Sequence, residues 1–162
     1  ELKRKGWKVY DHVERHVYIG TGELPEELKP YEEDLGNAEE IIMLIPRVKD
    51  GDGKLFRLLP SFTVPFKRYS SDDIESALDE SVMCTTTAGD GTIRSWKAWW
   101  HVRKADFRQK AMEWAKERKR DEGMLKSIAA EPLAKAMRAI SGKGWLSLLL
   151  RLVETIGFRW TL

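Results

Sequence analysis

The order of apolar and polar positions divides the chain into a front part with strand periodicity and a back part with helical periodicity. Between Glu1 and Ile19, Trp7, Val9, Val13, Val17 and Ile19 alternate with bases and histidines, which predicts one or two short strands. Ile41 to Lys49 and Lys54 to Leu59 are two further apolar-rich runs. Asp50-Gly51-Asp52-Gly53 between them supplies residues that tolerate positive φ, so the pair predicts a β-hairpin. Residues 20–40 read as an acidic connector with about one helical turn around Pro25 to Leu28. Pro60 to Tyr69 reads as a proline-bounded extended link.

From residue 70 the period changes. Ser70 or Ser71 is placed to cap a helix over 71–82, with Asp72 and Asp73 in its first turn and Ile74, Ala77, Leu78 and Val82 as its apolar stripe. Small residues from Met83 to Gly89 make a linker. Asp90-Gly91-Thr92 is a polar start signal for a second helix, in which Ile93, Trp96 and Trp100 share one face. Phe107, Ala111, Trp114 and Ala115 continue a helical stripe, which Gly123 is expected to weaken or break. Leu133, Ala136, Met137 and Ile140 predict a helix ending at Gly142 or Gly144. Trp145, Leu148, Leu149, Leu152, Val153 and Ile156 predict a last one, stopped by Gly157. The fold class expected is α+β: a small antiparallel β module in residues 1–60, and a helical bundle containing a helix-turn-helix in residues 61–162. The linker over 83–89 is longer than the compact turn of that motif.

Charge adds an asymmetry that periodicity does not show. The net +2 of the 162 residues conceals 12 Lys+Arg against 19 Asp+Glu in residues 1–91, and 16 against 7 in residues 92–162. A basic helical half suits a nucleic-acid surface, and equally suits attraction to the acidic half within one chain or between copies. No run of 18 apolar residues exists, so no membrane span is expected. One cysteine, Cys84, excludes an internal disulfide and points to a reducing, cytoplasmic setting. No signal peptide opens the chain, and a start at Glu1 rather than Met leads us to expect further sequence upstream.

Catalytic and metal signals are weak. His12 and His16 are four apart, but no further ligand cluster accompanies them, so solvated or hydrogen-bonded histidines are expected. Asp50 to Gly53 partly matches the start of a calcium loop, yet lacks the third early acid and the glutamate at position 12, so it is read as a turn. A two-metal transposase core needs three converging carboxylates on a sheet, and residues 92–162 have few acids and no strand pattern. No phosphate-binding glycine loop and no nucleophile–base set is recognisable. The chain is expected to be non-catalytic, with no cofactor and no metal.

Five stretches taken together resemble one family. They are Leu2-Lys3-Arg4-Lys5-Gly6-Trp7; Ile45-Pro46-Arg47-Val48; the run from Phe56 to Ser70; Thr92-Ile93-Arg94-Ser95-Trp96-Lys97-Ala98-Trp99-Trp100; and Gly144-Trp145-Leu146. The family is a group of uncharacterised bacterial proteins similar to the front part of insertion-sequence transposases, with a zinc ribbon, a helix-turn-helix and a helical tail. The resemblance implies a DNA-binding role associated with mobile elements. Members place one Cys-x-x-Cys pair before the Leu-basic-basic-Gly-Trp stretch and another before the Phe-x-Leu-Leu-Pro stretch. Here Asp50 to Gly53 stands in place of the second pair, and the first pair is absent or lies upstream of Glu1. The front module is therefore expected to be a degenerate zinc ribbon that keeps its hairpin without its metal. Packing of Trp7, Phe56 and Leu58 on the helices would replace the folding free energy of the zinc.

The resulting expectation is a binder of double-stranded DNA. Thr92, Arg94 and Ser95 would meet base edges, and Lys97, Arg103 and Lys104 would meet phosphates. The alternative is a non-catalytic protein-interaction or regulatory module, as a homodimer, that has lost DNA binding.

Overall fold

The computed structural model describes residues 6–154. It is an α+β fold in which a three-stranded antiparallel sheet, in the order β1-β2-β3, stands beside a helical bundle. Strand β1 spans Lys8–Tyr18 and β2 spans Glu40–Lys49, paired with Val13 opposite Ile45 and Val17 opposite Ile41. Two short strands were expected before Ile19. The alternation instead runs through as a single strand of 11 residues, with a register shift at Tyr10. Odd-numbered residues from Asp11 to Val17 face inward, as period-2 geometry requires.

Strand β3, Leu55–Arg57, completes the expected hairpin with Arg47 to Lys49. Asp50 closes the turn: its Oδ1 accepts the amides of Asp52 at 3.0 Å and Lys54 at 2.9 Å, and Gly53 sits at φ 78°. Trp7 stacks on Phe56 at 5.4 Å, so these rings support each other at the hairpin end and lie outside the helical core to which they were assigned. The acidic connector is more ordered than expected. It holds a 3-10 helix, Glu26–Tyr31, and one turn of α-helix, α1, Glu32–Leu35.

Five helices follow. α2 is Ser71–Leu78, and Ser70 caps it by accepting the Asp73 amide. It stops short of the expected 82 because Asp79, buried, turns to pair with Arg138 at 2.5 Å. α3 is Asp90–Glu117, one continuous helix of 28 residues and about 42 Å. Gly89 rather than a polar side chain precedes it. α4 is Glu122–Ala130, α5 is Leu133–Ser141 and α6 is Trp145–Glu154. The break after α3 falls at Arg118 to Arg120, where Lys119 has φ 49°, and Asp121 caps α4 through the Met124 amide. Gly123, the expected breaker, lies inside α4. The expected stop at Gly157 lies outside the described residues, as do Leu2 to Lys5.

Two apolar clusters result. Val17, Ile19, Leu24, Ile41 and Phe62 fill the space under the sheet. The larger cluster joins α2 to α6 around α3, which touches α2, α4 and α6. Trp96 is 2% exposed, and Trp100 packs edge-on against Trp145 at 5.5 Å. The link over 60–70 stitches the clusters together. Phe62 enters the first and Val64 the second, while the Tyr69 ring meets Tyr18 at 5.3 Å and Trp96 at 5.2 Å. Arg15, half-buried on the sheet, donates to the carbonyls of Val64 at 2.9 Å and Lys67 at 2.7 Å. Asp73, fully buried, accepts the Gly20 amide at 3.1 Å and the hydroxyls of Ser70 at 2.5 Å and Thr86 at 2.6 Å.

Candidate nucleic-acid interface

The basic residues of α3 are placed by its apolar stripe. Trp96, Phe107, Ala111 and Ala115 turn one side of the helix inward, so the charged positions fall on the flanks. With about 100° between successive residues, Arg94, Lys97, His101, Lys104 and Arg108 follow one another at steps of three and four along one flank. Thr92, Ser95 and Arg103 lie on the other, around Trp99, where Lys67 Nζ sits 5.3 Å from the Trp99 ring centre. The expected contact set is thus divided into two groups of three. Arg94, Ser95, Lys97 and Lys104 are exposed; Thr92 and Arg103 are half-buried. Asp90 precedes Arg94 by one turn on the same flank and limits how closely a phosphate can approach the helix start end-on.

The flank that carries Lys97 and Lys104 borders a groove of about 540 Å³. Lys97, His101, Lys104 and Arg108 line it from α3, Lys135 from the first turn of α5, and Glu80 from the connection after α2. His101, Arg108 and Lys135 were not part of the expected set. His101 and Arg108 continue the three-and-four spacing, so that signal was present in the sequence. Lys135 is brought in only by the non-local packing of the helices. Arg108 fixes this wall: its Nη1 donates to the carbonyls of Ile128 and of Glu131, the latter at 3.0 Å, holding the end of α4 and the start of α5 against α3.

Charge pairing around the groove is partial. Lys97 reaches Glu80 at 3.5 Å, and Lys135 reaches Glu131 at 3.0 Å. Among the described residues, Arg94, His101 and Lys104 have no ion-pair partner. Some of the acid–base segregation along the chain is consumed internally, since Arg138 pairs with Asp79 and Lys143 bridges Glu23 and Asp72 at 3.3 and 3.1 Å. The acids of α1 and most bases of the α3 flank are left to solvent.

The α2–α3 pair occupies the place expected for a helix-turn-helix, with eleven residues, 79–89, joining the two helices. The His12 and His16 pair lies on the outer face of β1, and His16 bonds Glu14 and Glu40, both at 2.8 Å. Those two carboxylates hold its imidazole above the ordinary histidine range. No group of three or more metal-ligating side chains converges among the described residues. None of the described helices is long and apolar enough to cross a membrane. Compared with family models, with curated proteins and with solved structures, the chain matches none.

Proposed function

We propose that this protein binds double-stranded DNA through the Arg94–Arg108 flank of α3 and performs no catalysis itself. The observation that carries the reading is the line of bases on that flank, three members of which are unpaired. From Arg94 to Arg108 the line is about 21 Å long at 1.5 Å per residue. This exceeds the roughly 12 Å width of the major groove. Arg94 can therefore meet base edges while Lys104 reaches a backbone phosphate. Trp96 and Trp100 hold the helix to the core and leave recognition to the polar flank. The front-part resemblance to transposases supports a mobile-element origin, and the single exposed Cys84 accords with a reducing cytoplasm.

Titration against random-sequence duplex DNA over a salt series tests the reading. Affinity is expected to fall steeply with salt, with a slope set by the number of phosphates neutralised. Absence of binding at low salt would refute it.

One observation favours a second reading, a protein-interaction module. Ile42 and Leu44 are 58% and 68% exposed on the outer face of β2, and no described strand covers the outer edge of β2 from Ile41 to Ile45. Sedimentation of the parent and of Leu44→Lys distinguishes this reading. A dimer that the variant dissolves, together with no DNA binding, would favour it.

A further inference from the structure

We propose that the groove between α3 and the start of α5 seats a backbone phosphate of DNA. Lys97, Lys104 and Lys135 hold it, and Glu80 is the acid that the phosphate displaces. The proposal rests on the DNA-binding reading and adds a second wall to it, one that lies outside the α2–α3 pair altogether.

Three features of the groove point to an anion. Bases enter from both sides, Lys97, Lys104 and Arg108 from α3 and Lys135 from α5, and so converge on one volume instead of forming a flat stripe. Of the two acids that line it, Asp79 is already engaged by Arg138 and the Ser81 hydroxyl, each at 2.5 Å. Beside the groove, Lys135 also reaches the half-exposed Glu131 at 3.0 Å. Among the lining acids Glu80 alone opposes the bases, through a long 3.5 Å contact from a side chain that is 83% exposed. A pair this exposed contributes little, so a phosphate can replace it with small loss. No side chain caps α5, which leaves its first-turn amides without a capping partner beside Lys135. Arg108, bonded to two backbone carbonyls, acts as a positioning residue that keeps the two walls together.

The experiment compares the full chain with Lys135→Gln, Glu80→Gln and, as a control, Lys126→Gln, whose ammonium pairs with Glu122 on α4 and does not line the groove. A labelled random-sequence duplex is titrated by fluorescence anisotropy across a salt series, with far-ultraviolet circular dichroism to confirm that each variant is folded. Loss of one phosphate contact lowers the salt slope by about one. Lys135→Gln is expected to lower it so and to weaken binding about three- to tenfold near 0.1 M salt. Lys126→Gln should change affinity less than about twofold. Glu80→Gln should tighten binding about two- to fivefold, because the phosphate no longer competes with a carboxylate.

If the parent binds DNA but Lys135→Gln behaves like Lys126→Gln, or Glu80→Gln leaves affinity unchanged, the groove assignment is overturned and the DNA reading stands. If the parent binds no DNA at low salt, both fall. Stabilisation by inorganic phosphate at matched ionic strength, lost in Lys135→Gln and unaccompanied by DNA binding, would reveal a pocket for a free anion and also overturn the proposal.

Discussion

The carboxylate of Glu75, on α2, accepts the backbone amide of Leu146 at 2.9 Å and so caps a helix far along the chain. The Gly144 amide bonds its other oxygen at 3.0 Å. Burial pushes this carboxyl from 4.5 up to about 7, against the two amides, which favour the anion. The folded chain therefore binds this proton more tightly than the unfolded chain. The associated stability, about 3 kcal/mol, is complete below the unfolded value and is lost as pH rises through about 7. Asp72, pushed up by burial though paired with Lys143, adds a contribution of the same sign. Asp79 acts oppositely: burial alone would raise it, but Ser81 and Arg138 together hold it low. Urea unfolding should show the parent losing about 2–3 kcal/mol between pH 5 and pH 8 through Glu75, and Glu75→Gln losing less than half of that.

Gly20 is fixed by the side chain it bonds. A Cβ there would lie 2.6 Å from Asp73 Oδ1 and 2.8 Å from Thr86 Oγ1, neither of them free to retreat from the buried network. Gly20→Ala is expected to cost about 1–3 kcal/mol. Combining it with Asp73→Ala should cost less than the two singles together, because they disturb one network. Chemical denaturation of the three variants checks the coupling.

Trp96, 2% exposed, is buried in the helical cluster with its ring edge-on to Tyr69. Trp96→Ala should cost about 3–5 kcal/mol. Trp99→Ala, at a half-buried ring on the flank, should cost less. Thermal and urea unfolding rank them, and equal losses would contradict the orientation of α3 described above.

The two flanks of α3 make separable predictions for DNA binding. Arg94→Ala should weaken binding by about 1–3 kcal/mol and relax sequence preference, as expected for a base-edge contact. Ser95→Ala and Arg103→Gln, on the Trp99 side, should change affinity much less. Anisotropy titrations that find the reverse order would move the interface to the other flank.

Local chemistry was legible where it decides structure alone. The Asp50 to Gly53 turn and the Ser70 cap follow from nearest-neighbour residues, and the observed bonds match. The end of α2 was not legible because Asp79 answers to Arg138, 59 positions along the sequence. In the candidate site, the spacing of Arg94, Lys97 and Lys104 was legible and extends to His101 and Arg108. Lys135 was not, since only the folded bundle brings α5 beside α3.

Tyr69 touches Tyr18 of β1 on one side and Trp96 of α3 on the other, and so a single ring ties a strand of the sheet to the helical core. Neither half can open its seam without exposing part of the other. The chain should therefore melt as one cooperative unit, with slowly exchanging amides in β1 and in the Trp96 turn of α3 released at a common free energy. A DNA-induced strain on α3 would accordingly be felt in the strands as well as in the helices.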